Sequence, residues 1–195
     1  MTTPSAGAPL VLSRIAELLG SSAASSSLII GIDGPCGSGK STLADIIRQA
    51  YDCPVIHMDH FFLQPHQRTP ERLQETGGNV DYERFTEEVV RPLQARQPFA
   101  YQVYDCKVQA LTESIAITPG RLTVVEGSYA LHPRFSGLYD LKVCLQIDEG
   151  EQARRLLLRS GPVLFQRFAE IWIPMENRYF ENLGIVQQAD LVVTL

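Results

Sequence analysis

The run Gly34-Pro35-Cys36-Gly37-Ser38-Gly39-Lys40-Ser41 satisfies the spacing GxxxxGK[ST] in full. Residues of this kind do one chemical job. The glycines let successive backbone amides turn inward around a phosphate, and the helix that follows directs its positive end at the same anion. In such a loop Lys40 reaches the β- and γ-phosphates of a nucleotide and the Ser41 hydroxyl ligates Mg²⁺. Thr42 closes the nucleotide-binding run, so the whole stretch from Gly34 to Thr42 is assigned to a bound ATP. Only three of the 17 basic residues are lysines (Lys40, Lys107 and Lys142), and a chance match to the motif at this composition is roughly 0.002. No GxGxxG occupies this turn, which removes the dinucleotide-binding alternative.

A phosphate loop works only between a strand and a helix, and the flanking residues supply both. Leu28-Ile29-Ile30-Gly31-Ile32-Asp33 is a short β-branched run of the kind that forms a buried strand, and Lys40 to Ala50 has good helix-forming character. Four further segments read as strands: Pro54 to Met58, Leu122 to Glu126, Leu141 to Ile147 and Asp190 to Leu195. Helical spacing appears in Leu10 to Leu19 and in Asp81 to Arg96, where Asp81 is an N-cap and Pro92 is expected to kink or end the helix. It returns around Gly150 to Arg159, with a further helix beginning near Pro162. Strands alternating with helices predict a parallel sheet covered on both faces. The fold class is therefore α/β: a three-layer P-loop NTPase fold with a five-stranded parallel sheet. Phe99 to Tyr104 and Ser114 to Thr118 form a small excursion on the substrate side. Residues 1–27 are read as an N-terminal helix and a Ser/Ala/Gly linker, and residues 28–195 as the P-loop domain.

Three features point from phosphate binding toward phosphoryl transfer. No Asn-Lys-x-Asp element for reading guanine is present. Asp59 and Glu126 stand where two neighbouring strands end, the edge at which ligands bind in open α/β sheets. Arg154, Arg155 and Arg159 lie together on one late helix, and arginines brought over phosphates neutralise charge in the transition state. The stretch from Asp59 to Val80 has no sustained period and carries Phe61, Phe62, His66, Arg68 and Arg72. It is a candidate acceptor-binding loop. His57 is expected to face the packing layers. Trp172, Phe165, Phe168 and Tyr179 form a helical stripe expected in the core, with Pro174 marking a bend.

These residues resemble the uridine kinase branch of the phosphoribulokinase/uridine kinase family. The likeness is carried by the phosphate loop, Met58-Asp59-His60-Phe61-Phe62, Val80-Asp81-Tyr82-Glu83-Arg84-Phe85, Tyr104-Asp105, Val125-Glu126-Gly127 and Arg154-Arg155, in the right order along residues 28–195. The resemblance implies transfer of the ATP γ-phosphate to a hydroxyl of a small molecule, often the 5′-hydroxyl of a nucleoside such as uridine or cytidine. It makes Asp59 the carboxylate that takes the acceptor's proton, with Lys40, Arg155 and Arg159 acting on the phosphates. It makes Asp81 a ligand of sugar hydroxyls and Tyr104 an aromatic wall of the base pocket. Glu126 becomes a carboxylate near the Mg²⁺ that Ser41 ligates, and Phe62 and Gln109 complete the acceptor side. Two departures fall on that side: Gln109 stands where a histidine is usual, and Cys106 where an aromatic is usual. The lid is short, running Arg159-Ser160-Gly161-Pro162 straight into the next helix, with Arg167 or Arg178 as substitutes for missing lid arginines. These departures leave open another acceptor, such as pantothenate, nicotinamide riboside or a sugar, and a non-catalytic nucleotide-binding regulator.

Bulk properties set the partners. With 195 residues, 45% hydrophobic and 20% charged, the chain has the composition of a globular protein with a real core. A net charge of −5 argues against nucleic acid as the main partner. No apolar run reaches the length of a membrane span, and Met1 to Leu12 lacks the positive start of a signal peptide. Four scattered cysteines read as reduced thiols. The expectation is a cytoplasmic protein whose partner is a small molecule. Monomer and homo-oligomer both stay open.

Overall fold

The computed structural model describes residues 7–21 and 27–194. Helix α1 (Ala8–Ser21) is followed by strand β1 (Leu28–Asp33), helix α2 (Lys40–Tyr51) and strand β2 (Val55–His57). Short helices α3 (Pro70–Gln74), α4 (Tyr82–Phe85) and α5 (Arg91–Gln94) lead to the strands β3 (Phe99–Asp105) and β4 (Ala110–Ile117). Then come β5 (Leu122–Glu126), β6 (Leu141–Gln146), α6 (Glu149–Arg167), α7 (Ile173–Asn182), α8 (Ile185–Gln188) and β7 (Leu191–Thr194). Most of the expected Ser/Ala/Gly linker and the first residues of the chain lie outside the described residues, as does Leu195.

Five parallel strands pair in the order β2-β5-β1-β6-β7, and β3 and β4 form a separate antiparallel hairpin. This is the expected sheet with its excursion. The central strand β1 is buried at every residue, as is β5, which explains their unbroken apolar sequences. Alternate residues then serve the two covering layers. Ile30 and Ile32 join Val124, Val143 and the α1 and α2 side chains in one cluster, while Ile29, Val125 and Cys144 face the other. That second layer is aromatic: Phe61 meets Phe85 edge-on at 5.0 Å, and Phe85 meets Phe135 at 4.7 Å.

Two prolines sit inside helical segments that continue past them. Pro92 does not end its helix, and Pro174 does not interrupt the chain's run from Pro162 to Asn182. A proline inside a helix lacks the N–H for the carbonyl four residues back and crowds that carbonyl. Here a π turn precedes each one, at Thr86–Val90 and Phe168–Trp172. The residue just before each proline bonds five back, Arg91 to Thr86 and Ile173 to Phe168. The wider turn accommodates the ring without a break. The break that does occur is at Gly161, whose φ of 73° and ψ of 170° lie outside the helical region and are costly for any residue with a Cβ. It divides α6 where the sequence places the short lid.

The expected core stripe is also divided. Tyr179 is fully buried, whereas Phe165, Phe168 and Trp172 are half-exposed around the lid. Arg159 lies 5.6 Å from the Phe168 ring and Arg167 5.4 Å from the Trp172 ring. The segment from Asp59 to Val80 is built of short turns, 3₁₀ at Met58–Phe61 and Pro65–Gln67 and then α3.

Helix α1 packs into the same layer as α2. Val11 and Ile15 are fully buried, and the Tyr51 hydroxyl donates to the Leu12 carbonyl at 3.2 Å. Replacing Ile15 by Ala should therefore lower the free energy of unfolding by about 2–5 kcal/mol. Chemical denaturation checks this; an unchanged midpoint would mean that α1 contributes nothing to the core.

Candidate active site

The phosphate loop leaves the end of β1, and its conformation is held by one side chain. Asp33 is fully buried and accepts four hydrogen bonds: from the amides of Gly34 (2.7 Å), Tyr129 (3.2 Å) and Leu131 (2.8 Å), and from the Tyr179 hydroxyl (2.7 Å). Burial raises its pKa to about 6, opposed by those donors and by the Lys40 charge. Each bond to a charged acceptor contributes roughly 1.5–3 kcal/mol, which is what offsets the desolvation of a carboxylate.

Gly39 caps α2 in the left-handed region, with φ 88° and ψ 22°, a conformation that favours glycine. It turns the chain so that the first amides of α2 follow the loop's own. Lys40 is buried, and its ammonium donates to the carbonyls of Gly34 (2.8 Å) and Pro35 (3.0 Å). One turn of the helix thus begins with a positive charge folded back over the loop.

The two carboxylates expected at strand ends are brought to the loop by strand pairing. In the β5 register, Glu126 lies opposite Ile32 of β1 on one side and His57 of β2 on the other. Its oxygens stand 3.1 and 3.2 Å from the Ser41 hydroxyl, which donates to them. Asp59 follows β2 in the 3₁₀ turn and is exposed. Although solvent reaches it, the protein around it raises its pKa, with the Glu126 and Glu176 charges adding to the rise and Lys40 opposing it. Hard oxygen donors from Ser41 and Glu126, close together at the N-terminus of α2, are the donor set that suits Mg²⁺.

Arg155 donates to the Gly37 carbonyl at 3.3 Å and is steadied by Glu151 at 2.7 Å. Arg159 lies near enough for its charge to act on Cys36. Arg154 points elsewhere, pairing with Glu151 on the exposed side of α6. Arg178 donates to the Leu73 carbonyl at 3.2 Å.

The acceptor side is assembled less completely. Asp81 caps α4, as its N-cap position implies: one oxygen accepts the Arg84 amide at 2.9 Å and the other the Gln67 side chain at 2.7 Å. Tyr104 is buried and its hydroxyl accepts from Arg68 at 2.8 Å. Phe62 is half-buried and pairs with Val80 in an isolated antiparallel bridge. Gln109 stands apart, exposed in the β3–β4 turn with a φ of 55°. Cys106, in the same turn, lies within electrostatic range of both Asp59 and Arg68.

Four contributors were not legible as functional residues. His57 does not face the packing layers; its Nδ1 meets the Glu126 carboxylate. Ser128 and Glu176 bond to one another at 2.7 Å beside the loop, and Glu176 accepts the Cys36 amide at 2.8 Å. Tyr179 was expected only as packing. The one sequence signal for the last pair is an acid three residues before a tyrosine on an amphipathic helix, which does not distinguish this case from a solvated face.

A glycine-rich loop joining the C-terminal end of the central parallel strand to the start of a helix, with the helix's first lysine folded over it, is the arrangement of a P-loop protein. The KAP family P-loop domain matches residues 10–157, and the chain belongs to that family. It is also similar in sequence to uridine kinases. It is 27% identical over 182 residues to the uridine kinase of Latilactobacillus sakei, covering 85% of this chain and 84% of that protein. It is 24% identical over 182 residues to the uridine kinase of Chlamydia pneumoniae, covering 85% and 81%. The structure of a possible uridine kinase from Bacillus stearothermophilus superposes with a TM-score of 0.68 at 22% identity, covering 94% of this chain and 99% of that one. That last likeness is one of fold.

The two adjacent histidines give the site a measurable signature. The bond to Glu126 raises the His57 pKa, while burial and the His57 charge lower that of His60 to about 4. A histidine whose folded pKa is raised stabilises the fold below its unfolded pKa and loses that contribution as pH rises through the folded value. NMR titration should place His57 above the ordinary histidine value of 6.5 and His60 near 4. Glu126→Gln should bring His57 down while leaving the His60 shift. A His57 value unmoved by Glu126→Gln contradicts the pairing.

Proposed function

We propose that this chain is an ATP-dependent phosphotransferase that moves the γ-phosphate onto a hydroxyl of a small molecule, working in the cytoplasm. The observation that supports the reading is that Asp59, an exposed carboxylate, lies within electrostatic range of Lys40 and of Glu126, the partner of Ser41. In this reading the acceptor's O–H gives its proton to the Asp59 carboxylate as its oxygen bonds to the γ-phosphorus, and the bond to the ADP oxygen breaks. A carboxylate whose pKa is raised is a better base at neutral pH. Lys40 and Arg155, both already bonded to loop carbonyls, neutralise the phosphates, with Arg159 reaching in from the lid side. Ser41 with Glu126 would hold Mg²⁺, which withdraws charge from phosphate oxygens. Positioning and charge neutralisation supply most of what such a transfer needs.

The likeness to uridine kinases supports a nucleoside-like acceptor, with Asp81, Tyr104 and Phe62 on its binding wall; Gln109, exposed in the β3–β4 turn, is left out of it. A second reading of the acceptor is favoured by Arg68. Its guanidinium donates to the Leu63 carbonyl at 3.0 Å and to the Tyr104 hydroxyl, both neutral. Among the described residues no carboxylate pairs with it. Asp81 meanwhile has both oxygens engaged. A fixed, charge-unbalanced arginine beside the acceptor cleft suits an acceptor that itself bears a carboxylate or phosphate.

Acceptor-dependent ADP release, measured with Mg-ATP against nucleosides, sugars, vitamins, hydroxy acids and sugar phosphates, tests both readings. Turnover should require Asp59 ionised, so the rate rises with pH along an acid limb above the ordinary Asp value of 3.8. Asp59→Asn should cost roughly 10²–10⁴ in rate with ATP binding kept. Arg68→Ala should raise KM for an anionic acceptor and leave a neutral nucleoside unaffected. Full turnover by Asp59→Asn removes the proposed base, and ATP binding with silence across the panel favours a regulator.

A further inference from the structure

The third residue of the phosphate loop is gripped from outside the loop on both of its backbone groups. The Cys36 amide donates to Glu176 of α7 at 2.8 Å, and the Cys36 carbonyl accepts from the Gln152 side chain of α6 at 2.9 Å. Both gripping residues are buried, Gln152 at 6% exposure and Glu176 at 5%. The two helices they come from stand on either side of the lid bend at Gly161. Glu176 is also tied to the far wall of the site, since the Ser128 hydroxyl donates to it at 2.7 Å. Three residues further along α7, Tyr179 donates to Asp33, the residue that holds Gly34 at the start of the loop.

A helix that merely had to pack on the sheet would cover this surface with apolar side chains, because burying a carboxylate is costly unless it is hydrogen-bonded. What the carboxylate adds is direction. It fixes the orientation of one peptide in a loop whose function depends on where its peptides point. The helix bearing it runs without a break, through the π turn, from the C-terminal side of the lid. A displacement of the segment around the Gly161 bend would therefore reach the Cys36 peptide through α7 as well as through α6.

We propose that Glu176 is a positioning residue for nucleotide binding: with Gln152 it clamps the Cys36 peptide between the two helices that flank the lid, coupling lid position to the shape of the phosphate loop. The inference rests on the nucleotide-binding reading above. Coupling between two sites is reciprocal, so nucleotide bound in the loop must also change the protection of α7.

Calorimetric titration of Mg-ATP into the full chain tests this without any acceptor. Glu176→Ala should weaken ATP about 10-fold, the effect of one charge-assisted hydrogen bond. Glu176→Gln keeps an oxygen for the Cys36 amide and a donor for Ser128, and should stay within about 3-fold of wild type. Hydrogen exchange should show ATP protecting amides of residues 173–182 in wild type, with that gain lost in Glu176→Ala. Gln152→Ala, which frees the same peptide from its other side, carries the same expected weakening if Glu176→Ala does not fold. Wild-type affinity in Glu176→Ala or Gln152→Ala overturns the clamp. So does a Gln variant as impaired as the Ala variant, or ATP-dependent protection of α7 that survives the Ala change. Failure of the wild-type chain to bind Mg-ATP defeats the nucleotide reading itself, a result distinct from any of these.

Discussion

The structure depends on a carboxylate that has no contact with bulk water. Asp33 ends the central strand, and its two oxygens collect the amide that opens the phosphate loop, two amides from the segment after β5, and a hydroxyl from α7. Those four donors come from three different parts of the chain, so the loop's position relative to the neighbouring strand end and the C-terminal helix is fixed at one point. Without that convergence the same glycine-rich residues would form a turn of no defined orientation, since glycines contribute freedom but no direction.

Charge sets the second constraint. Asp33, Asp59, Glu126 and Glu176 act together on a small volume in which Lys40 is the buried cation. Both Asp33 and Asp59 have raised pKa values, Asp33 through its full burial and Asp59, though exposed, through the protein packed around it and its acidic neighbours. The arrangement holds because each fully buried acid has specific donors: Asp33 the backbone and Tyr179, Glu126 the Ser41 hydroxyl and His57, Glu176 the Cys36 amide and Ser128. Of the four, Asp59 alone is exposed, as the proposed proton acceptor must be.

What the sequence disclosed follows from how local each cause is. The phosphate loop needs only neighbouring residues to define it, and β1, β5 and β6 announce themselves by continuous apolar runs. Asp59 and Glu126 were legible because strand ends in a parallel sheet share one edge, whatever the strand order. Glu176 and Tyr179 were not, because their partners Cys36 and Asp33 lie about 140 residues away, and only the fold brings them together. Pro174 was misjudged for the opposite reason: the local rule against a helical proline is sound, and a π turn one step upstream evades it; Pro92 follows a π turn of the same kind, and its helix ends two residues later. The aromatic stripe of Phe165, Phe168 and Trp172 has core-like spacing, yet the bend at Gly161 carries it out along the lid.

The central claim is that the loop from Gly34 to Thr42 is an anion well organised around Lys40. Equilibrium binding of Mg-ATP to the wild-type chain and to Lys40→Ala is its most direct test. The account predicts saturable binding at one site per chain, weakened at least tenfold by the substitution. Wild-type chain that does not bind ATP, or a Lys40→Ala variant that binds it equally well, would contradict it.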